Sequence, residues 1–202
     1  MRNSKRGREP ENWKHEFAEI FNDSWDYVKE QKRFIYAVAL IFFASAILGF
    51  AYAENLIFLD DLIKEIIEKT SDLDYIEMIW FIFSNNVTSS LFALFLGLFF
   101  GIFPLFNSLF NGTLLGYVYS KAIVFEGYFV IWRLFPHGIF ELPAVFISLG
   151  LGLHLGVALF GKNKRETIIE RSKKSLRVFL SVIVPLLILA ALIESTFIFF
   201  VG

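Results

Sequence analysis

The chain has 202 residues, no cysteine and a formal net charge of −1, and 56% of its residues are hydrophobic, with a mean hydropathy of +0.58. The lack of cysteine excludes disulfides, thiol catalysis and cysteine-bound metal centres, and the near-zero charge gives no basic field for nucleic acid. Because the apolar content exceeds that of ordinary soluble domains, we expect an all-α, polytopic membrane helix bundle.

Residues 1–33 are predicted to form a cytoplasmic amphipathic segment. Its apolar residues recur at helical spacing, with acids and lysines opposite them. They are Trp13, Phe17, Ile20, Phe21, Trp25 and Val28. A second helix of this kind follows the first span and carries Leu56, Leu59, Leu62, Ile63, Ile66 and Ile67. Each is predicted to cover its own bundle; the membrane surface and another subunit are the alternatives.

Residues 34–202 are predicted to form one membrane domain of five spans. A spanning helix needs about 20 mostly apolar residues, so the stretch from Asp74 to Phe106 is too long for one span. It is divided at Ser84-Asn85-Asn86, because these residue types favour helix caps over helix interiors. Residues 75–83 then approach the membrane as an interfacial or re-entrant segment, and Phe106-Asn107-Ser108 makes a tight turn. The predicted spans are about 34–53, 87–106, 109–125, 138–160 and 178–200, with residues 128–135 at the interface.

Basic residues give this bundle an orientation. Residues 1–33 carry eight Lys or Arg and residues 161–177 carry seven, whereas the loop 54–75 carries two against seven acids. Loops rich in Lys and Arg remain in the cytoplasm. Four predicted spans separate the two basic segments, so both return to the same side. We therefore predict that the N-terminus lies inside and the C-terminus outside.

Glycines recur every fourth residue in three consecutive predicted spans. The pairs are Gly97 and Gly101, Gly112 and Gly116, and Gly152 and Gly156. Small residues at this spacing let membrane helices approach closely. We predict that spans two, three and four form a tightly packed central trio, and the alternative is a seam between two copies of the chain.

The predicted topology also collects polar residues in the outer half of the bilayer. Spans two and four begin outside and spans three and five end there, which brings together Asn85, Asn86, Lys121, His137, Glu141 and Glu194, with Glu126 and Arg133 in the nearby loop. An uncompensated charge at this depth is costly, so Lys121 is expected to pair with Glu194 or Glu141. A smaller inner group is predicted to hold Asn107, Asn111 and His154, with His154 as a packing residue.

His137 and Glu141 lie one helical turn apart and share a helix face. Three roles fit this pair. They can stabilise the helix bundle as structural residues. They can pass a proton or ion, because imidazole titrates near neutral pH. They can also be two ligands of a divalent metal ion, with Glu194 as a third. No nucleophile elbow, zinc-protease motif or phosphate loop is present in the sequence, so no catalytic residues are predicted.

These residues resemble the stage II sporulation protein M family of integral membrane proteins over about residues 30–202. The resemblance depends on Asn85-Asn86, the glycine pairs, Asn111-Gly112 and, most specifically, the octad Pro136-His137-Gly138-Ile139-Phe140-Glu141-Leu142-Pro143. It implies a five-span fold and gives Asn85, Asn86, Asn111, Gly112, His137, Gly138 and Glu141 as family-motif positions. The family's namesake scaffolds a peptidoglycan-degrading complex during engulfment, but the resemblance does not imply sporulation here.

The leading functional hypothesis is a non-enzymatic scaffold in the cell membrane, without a cofactor. It is predicted to be a homodimer that organises membrane or envelope protein partners within the lipid bilayer and does not bind nucleic acid. The rival hypothesis is a transporter or channel for a small ion, proton or lipid that uses the layer around His137 and Glu141. The rival predicts a water-accessible cavity that reaches this layer. An enzyme that acts on lipids is the third alternative.

Overall fold

A computed structural model describes residues 12–128, 130–161 and 163–200, without the side chains of 12, 126 and 130–137. Within the described residues all regular structure is helical, so the all-α prediction is confirmed. The α-helices are α1 (Asn12–Glu30), α2 (Lys32–Ala51), α3 (Leu59–Thr70), α4 (Tyr75–Leu96), α5 (Ile102–Glu126), α6 (Val130–Val157), α7 (Lys164–Val178) and α8 (Val184–Phe200). Short 3₁₀ turns follow α2 and α6, and a π-helical turn (Phe179–Ile183) joins α7 to α8.

Four stretches of the described helices are long and apolar enough to cross a bilayer. They are Lys32–Ala51, Tyr75–Leu96, Gly138–Phe160 and Lys164–Phe200. The helix α5 has 25 residues but does not belong to this set. Polar residues such as Asn107, Asn111 and Lys121 interrupt its apolar sequence. The number of five spans and their orientation therefore remain predictions.

The predicted helix boundary at Ser84-Asn85-Asn86 is wrong, because α4 runs through it without interruption. The helix begins instead at a capping box, in which Asp74 Oδ1 accepts from the Glu77 amide (2.8 Å) and Glu77 Oε2 accepts from the Asp74 amide (3.0 Å). Residues 75–83 are thus the first turns of α4. The polar Ser84 is tolerated inside the helix because its hydroxyl donates to the Phe81 carbonyl (3.2 Å).

The predicted tight turn at Phe106-Asn107-Ser108 is also wrong. The chain reverses between α4 and α5 through residues 97–101, where Phe100 (φ 57°) and Gly101 (φ 73°) adopt left-handed conformations. Glycine takes this conformation at little cost. Further along, α6 already begins at Val130, so part of the predicted interfacial stretch 128–135 is helical.

The glycine pairs form two seams rather than one central trio. A Cβ placed on Gly97 would overlap the backbone of Gly152, and one on Gly156 would overlap Gly97 and Gly101, so these four join the end of α4 and the turn after it to α6. Gly112 and Gly116 approach the backbone of α2 at Phe42 and Ala46 instead. All six glycines are therefore used in contacts within one chain. The trio prediction was wrong for α5, which packs along α2. A row of glycines permits close packing but does not indicate which helix packs against it.

These contacts also give the relative directions of the helices. Val38, Phe42 and Ala46 of α2 lie beside Ser108, Gly112 and Gly116 of α5, so the two helices run parallel. Likewise, α4 and α6 run parallel, because Ser90 lies beside Ser148 and Gly97 beside Gly152. The predicted topology requires both relationships, since spans one and three, and spans two and four, cross in the same direction.

The two amphipathic helices flank this bundle. In α1, Val28 is buried in the main core, whereas Trp13 and Phe17 are 63% and 57% exposed. In α3, Leu59 packs with Tyr117, whereas Ile66 and Ile67 are largely exposed. The prediction that each helix covers its own bundle therefore holds for only one end of each.

Candidate functional site

A cavity of about 460 Å³ lies between the helices, and it gathers polar residues from four of them. Its volume is within the range of about 300–1,000 Å³ typical of small-molecule sites. The polar lining comprises Asn85, Asn86 and Ser89 of α4, Asn107 and Asn111 of α5, Glu141 of α6 and Glu194 of α8. Phe42 of α2, Ile66 of α3 and other apolar side chains complete the wall.

Most of the polar wall belongs to helices that can span a bilayer. Asn85 and Asn86 lie near the middle of the candidate span Tyr75–Leu96, Glu141 lies in Gly138–Phe160, and Glu194 lies in Lys164–Phe200. Polar residues are rare at such positions, and those present usually face the bundle interior or a wet cavity. The helix α4 supports this arrangement, because Asn85 and Ser89 are one turn apart on the same face.

The helix α5 contributes a linked pair of amides. Nδ2 of Asn111 donates to the carbonyl oxygen of Asn107 (2.9 Å) and to its side-chain Oδ1 (3.1 Å). Since both bonds use the amide nitrogen, they orient the Asn111 side chain and leave its own Oδ1 outside this pair of bonds. The two residues line the same cavity as Glu141, so the predicted inner group with His154 is wrong. The error came from treating Asn107 as a turn residue.

His154 has a separate, buried environment. It is 6% exposed, its Nδ1 lies 3.3 Å from the Tyr27 hydroxyl, and its ring centroid lies 5.0 Å from that of Phe34. Arg171 Nη1 donates to its backbone carbonyl (2.6 Å). This histidine joins α6 to α1, α2 and α7 and does not line the cavity, which fits a packing role.

The two carboxylates give the cavity its electrostatic character. Glu141 and Glu194 are both half-buried, and they stand on different helices across a space that is also lined by amide oxygens. Among the described residues that line the cavity, none is Lys, Arg or His. Carboxylate and amide oxygens are the ligands that hard cations prefer. The arrangement is therefore suited to a cation or to a small solute that donates hydrogen bonds.

Lys121 does not belong to the residues that line the cavity. Its Nζ is 5.2 Å from the ring centroid of Tyr117, which is itself fully buried. The Tyr117 hydroxyl donates to Oδ1 of Asp60 (2.6 Å) and so links α5 to the start of α3. The predicted pairing of Lys121 with Glu194 or Glu141 remains a prediction.

His137 lies one turn before Glu141 in α6, but its side chain is outside the described residues, as are those of Glu126 and Arg133. Its joint role with Glu141 is therefore still a prediction. Within the part of the chain that the structure describes, no group of three or more His, Asp or Glu side chains could hold a metal ion.

Two members of the polar wall were missed by the sequence reasoning. Ser89 follows Asn85 at a spacing of four, and Asn107 precedes Asn111 at the same spacing, so each pair shares a helix face. This signal would have been visible if residues 84–86 and 106–108 had been assigned to helix interiors. Ile66 could not have been found this way, because only the packing of α3 on α5 brings it to the cavity.

Comparisons with known proteins agree with the family resemblance. A family model described as Stage II sporulation protein M matches residues 38–197, a range that contains the whole polar wall. The Uncharacterized protein MJ0706 of Methanocaldococcus jannaschii is 31% identical over 185 residues, which cover 83% of this chain and 82% of the relative. Among solved structures, none matches the chain. The resemblance inferred from the octad and the Asn85-Asn86 pair is confirmed.

Proposed function

Since the chain belongs to the stage II sporulation protein M family and its apolar helices indicate a membrane protein, we propose that it is a multi-pass, non-enzymatic protein of the cell membrane that transports a small cation. The cation binds in the cavity between α4, α5, α6 and α8. The observation that carries this proposal is the convergence of two carboxylates and four asparagines on one cavity, with Asn85, Asn86, Glu141 and Glu194 on candidate spans.

Carboxylates within membrane-spanning stretches commonly mark the path of an ion. Glu141 and Glu194 offer negative charge to a cation in the cavity, and the amides of Asn85, Asn86 and Asn111 replace part of its hydration shell. The cavity is larger than a bare ion, so the cation retains several of its waters or is a small organic ammonium ion.

Ion flux in proteoliposomes tests this proposal. Wild-type protein is compared with Glu141→Gln and Glu194→Gln, which keep the side-chain size and remove the charge. We expect each substitution to lower flux at least about tenfold, because the loss of one charge contact in such a site costs more than about 1.4 kcal/mol. The matched control is Glu68→Gln, on the outer face of α3 and outside the cavity wall. It should leave flux unchanged.

The cation proposal fails if folded wild-type protein in proteoliposomes transports none of Na⁺, K⁺, Ca²⁺, Mg²⁺, protons or methylammonium. It also fails if the glutamine variants transport as well as the control does. Because channel-like leak can follow misfolding, each variant is first compared with wild type for its elution volume in detergent and its helical content.

The second candidate function is a homodimeric scaffold for membrane or envelope proteins. The exposed apolar side chain of Ile67 at the end of α3 favours it, because exposed apolar surface can mark a site of association. Cross-linking from native membranes would test it. A reproducible cross-link from Ile67→Cys to a second protein supports the scaffold. If no cross-link forms and ion flux is observed, only the transporter function is supported.

A further inference from the structure

One continuous apolar face of α1 has two different environments. Trp13, Phe17, Ser24 and Val28 are spaced by four, seven and four residues, which places them on one side of the helix. At the C-terminal end of this face, Ser24 is 1% and Val28 is 7% exposed. At the N-terminal end, Trp13 is 63% and Phe17 is 57% exposed. The face that packs on the bundle therefore continues beyond the edge of the bundle.

The contacts of the buried end fix the position of α1 along the bundle. The hydroxyl of Ser24 is hydrogen-bonded to that of Ser181 (2.8 Å), which lies in the π-helical turn within the apolar stretch Lys164–Phe200. The Tyr27 hydroxyl lies 3.3 Å from Nδ1 of His154, which belongs to the candidate span Gly138–Phe160. The helix thus docks on two helices at positions within stretches that are long and apolar enough to cross a membrane. Where such stretches cross the bilayer, lipid surrounds the bundle at this level.

We propose that the N-terminal half of α1 lies in the plane of the membrane, with Trp13, Phe17 and Phe21 inserted into the adjacent lipid leaflet. Tryptophan prefers this interfacial level. The opposite face of the helix is polar and exposed, with Glu19, Asn22 and Asp26 directed to water. Such a helix buries its apolar face about 5–10 Å into the boundary between headgroups and acyl chains.

Lipid is favoured over a second copy of the chain by the continuity of this face. The part of this face beyond the bundle continues into exposed apolar residues of the bundle itself, such as Leu180, the chain neighbour of Ser181. The charges of α1 do not favour anionic headgroups, because five acids outnumber Lys14 and Lys29 between residues 13 and 30. Insertion therefore depends on apolar burial. The inference does not depend on the cavity or on what it binds.

The lack of cysteine makes the test direct, because one introduced cysteine is the only labelling site in the chain. Phe17→Cys and Glu19→Cys are prepared in the full-length protein, labelled with a bimane fluorophore and reconstituted into phosphatidylcholine vesicles. Both residues are exposed on the same helix but on opposite faces, so neither substitution removes a core contact. Quenching is measured with a lipid that carries a nitroxide near its headgroup and, separately, with aqueous iodide.

We expect the label at position 17 to be quenched by the lipid nitroxide and protected from iodide, and the label at position 19 to show the reverse. Equal iodide quenching at both positions would overturn the proposal. So would protection of position 17 from both quenchers, because another protein surface, such as a second copy, then covers the face. A label-free measurement is available from Trp13→Phe, which should lower the fraction of tryptophan emission that brominated lipid quenches.

Discussion

The Tyr117 hydroxyl donates a 2.6 Å hydrogen bond to Oδ1 of Asp60, and this contact joins α5 to the first turn of α3. Tyr117 is fully buried, and Leu59 and Ala53 pack around it. Because Ile66 of the same helix lines the polar cavity, the position of this cavity wall depends on how α3 is held. The far end of α3 carries exposed apolar residues, Ile66 and Ile67.

Loss of this hydrogen bond should loosen α3 without unfolding the bundle. We expect Asp60→Asn and Tyr117→Phe each to cost about 1 kcal/mol of unfolding free energy and to speed amide hydrogen exchange in α3. The neighbouring Asp61→Asn is the matched control, because the Asp61 side chain is 92% exposed. Its Oδ1 lies 3.9 Å from Lys64 Nζ in a surface ion pair, and such pairs contribute little to stability. Equal exchange in all three variants would show that the bond does not hold α3.

Close packing of α4 on α6 predicts that any larger side chain at Gly97 or Gly152 destabilises the protein. We expect Gly97→Ala or Gly152→Ala to destabilise the protein by about 1–3 kcal/mol, because the added methyl group overlaps the backbone of the facing helix. Gly161→Ala is the control, since its nearest new contact would be the Ala158 carbonyl oxygen at 3.4 Å. Thermal unfolding in detergent measures the difference, and a control as unstable as the seam variants would contradict the packing argument.

The polar cavity should be open to water-soluble reagents. In the cysteine-free chain, Ser89→Cys is expected to react with a membrane-impermeant methanethiosulfonate, because Ser89 lines the cavity. The adjacent Thr88→Cys, on an exposed part of α4 outside the cavity wall, should react much more slowly, because lipid rather than water covers that face. Slow reaction at Ser89→Cys, equal to that at Thr88→Cys, would mean that the cavity is closed to solvent.

The charge pattern predicts which side of the membrane each loop faces. A cysteine at Ser172, in the basic α7, should be labelled only after vesicles of right-side-out orientation are permeabilised. A cysteine at Glu68, in the acidic α3, should be labelled from outside in intact vesicles. Labelling of both positions from one side would contradict the predicted topology, because α3 and α7 would then share a compartment.

Part of the candidate site could be predicted from residue type and approximate depth. Asn85, Asn86, Glu141 and Glu194 were assigned to one layer because the charge pattern set the directions of the spans, and all four line the cavity. Asn107 was placed elsewhere, because asparagine favours turns when only local propensity is considered. In α5 its backbone and side-chain oxygens both accept from Asn111, and this bonding keeps the pair within the helix.

By itself, the sequence determined the all-helical class, the family and the set of polar residues in apolar stretches, because composition and hydrophobic length are properties of the chain alone. Only the tertiary structure decided which helices meet. Gly112 contacts Phe42 of α2 rather than α4 or α6, and Ile66 reaches the cavity although it lies 19 positions before Asn85 in the chain. A small residue permits close approach to any helix, so the partner depends on the packing of the whole bundle.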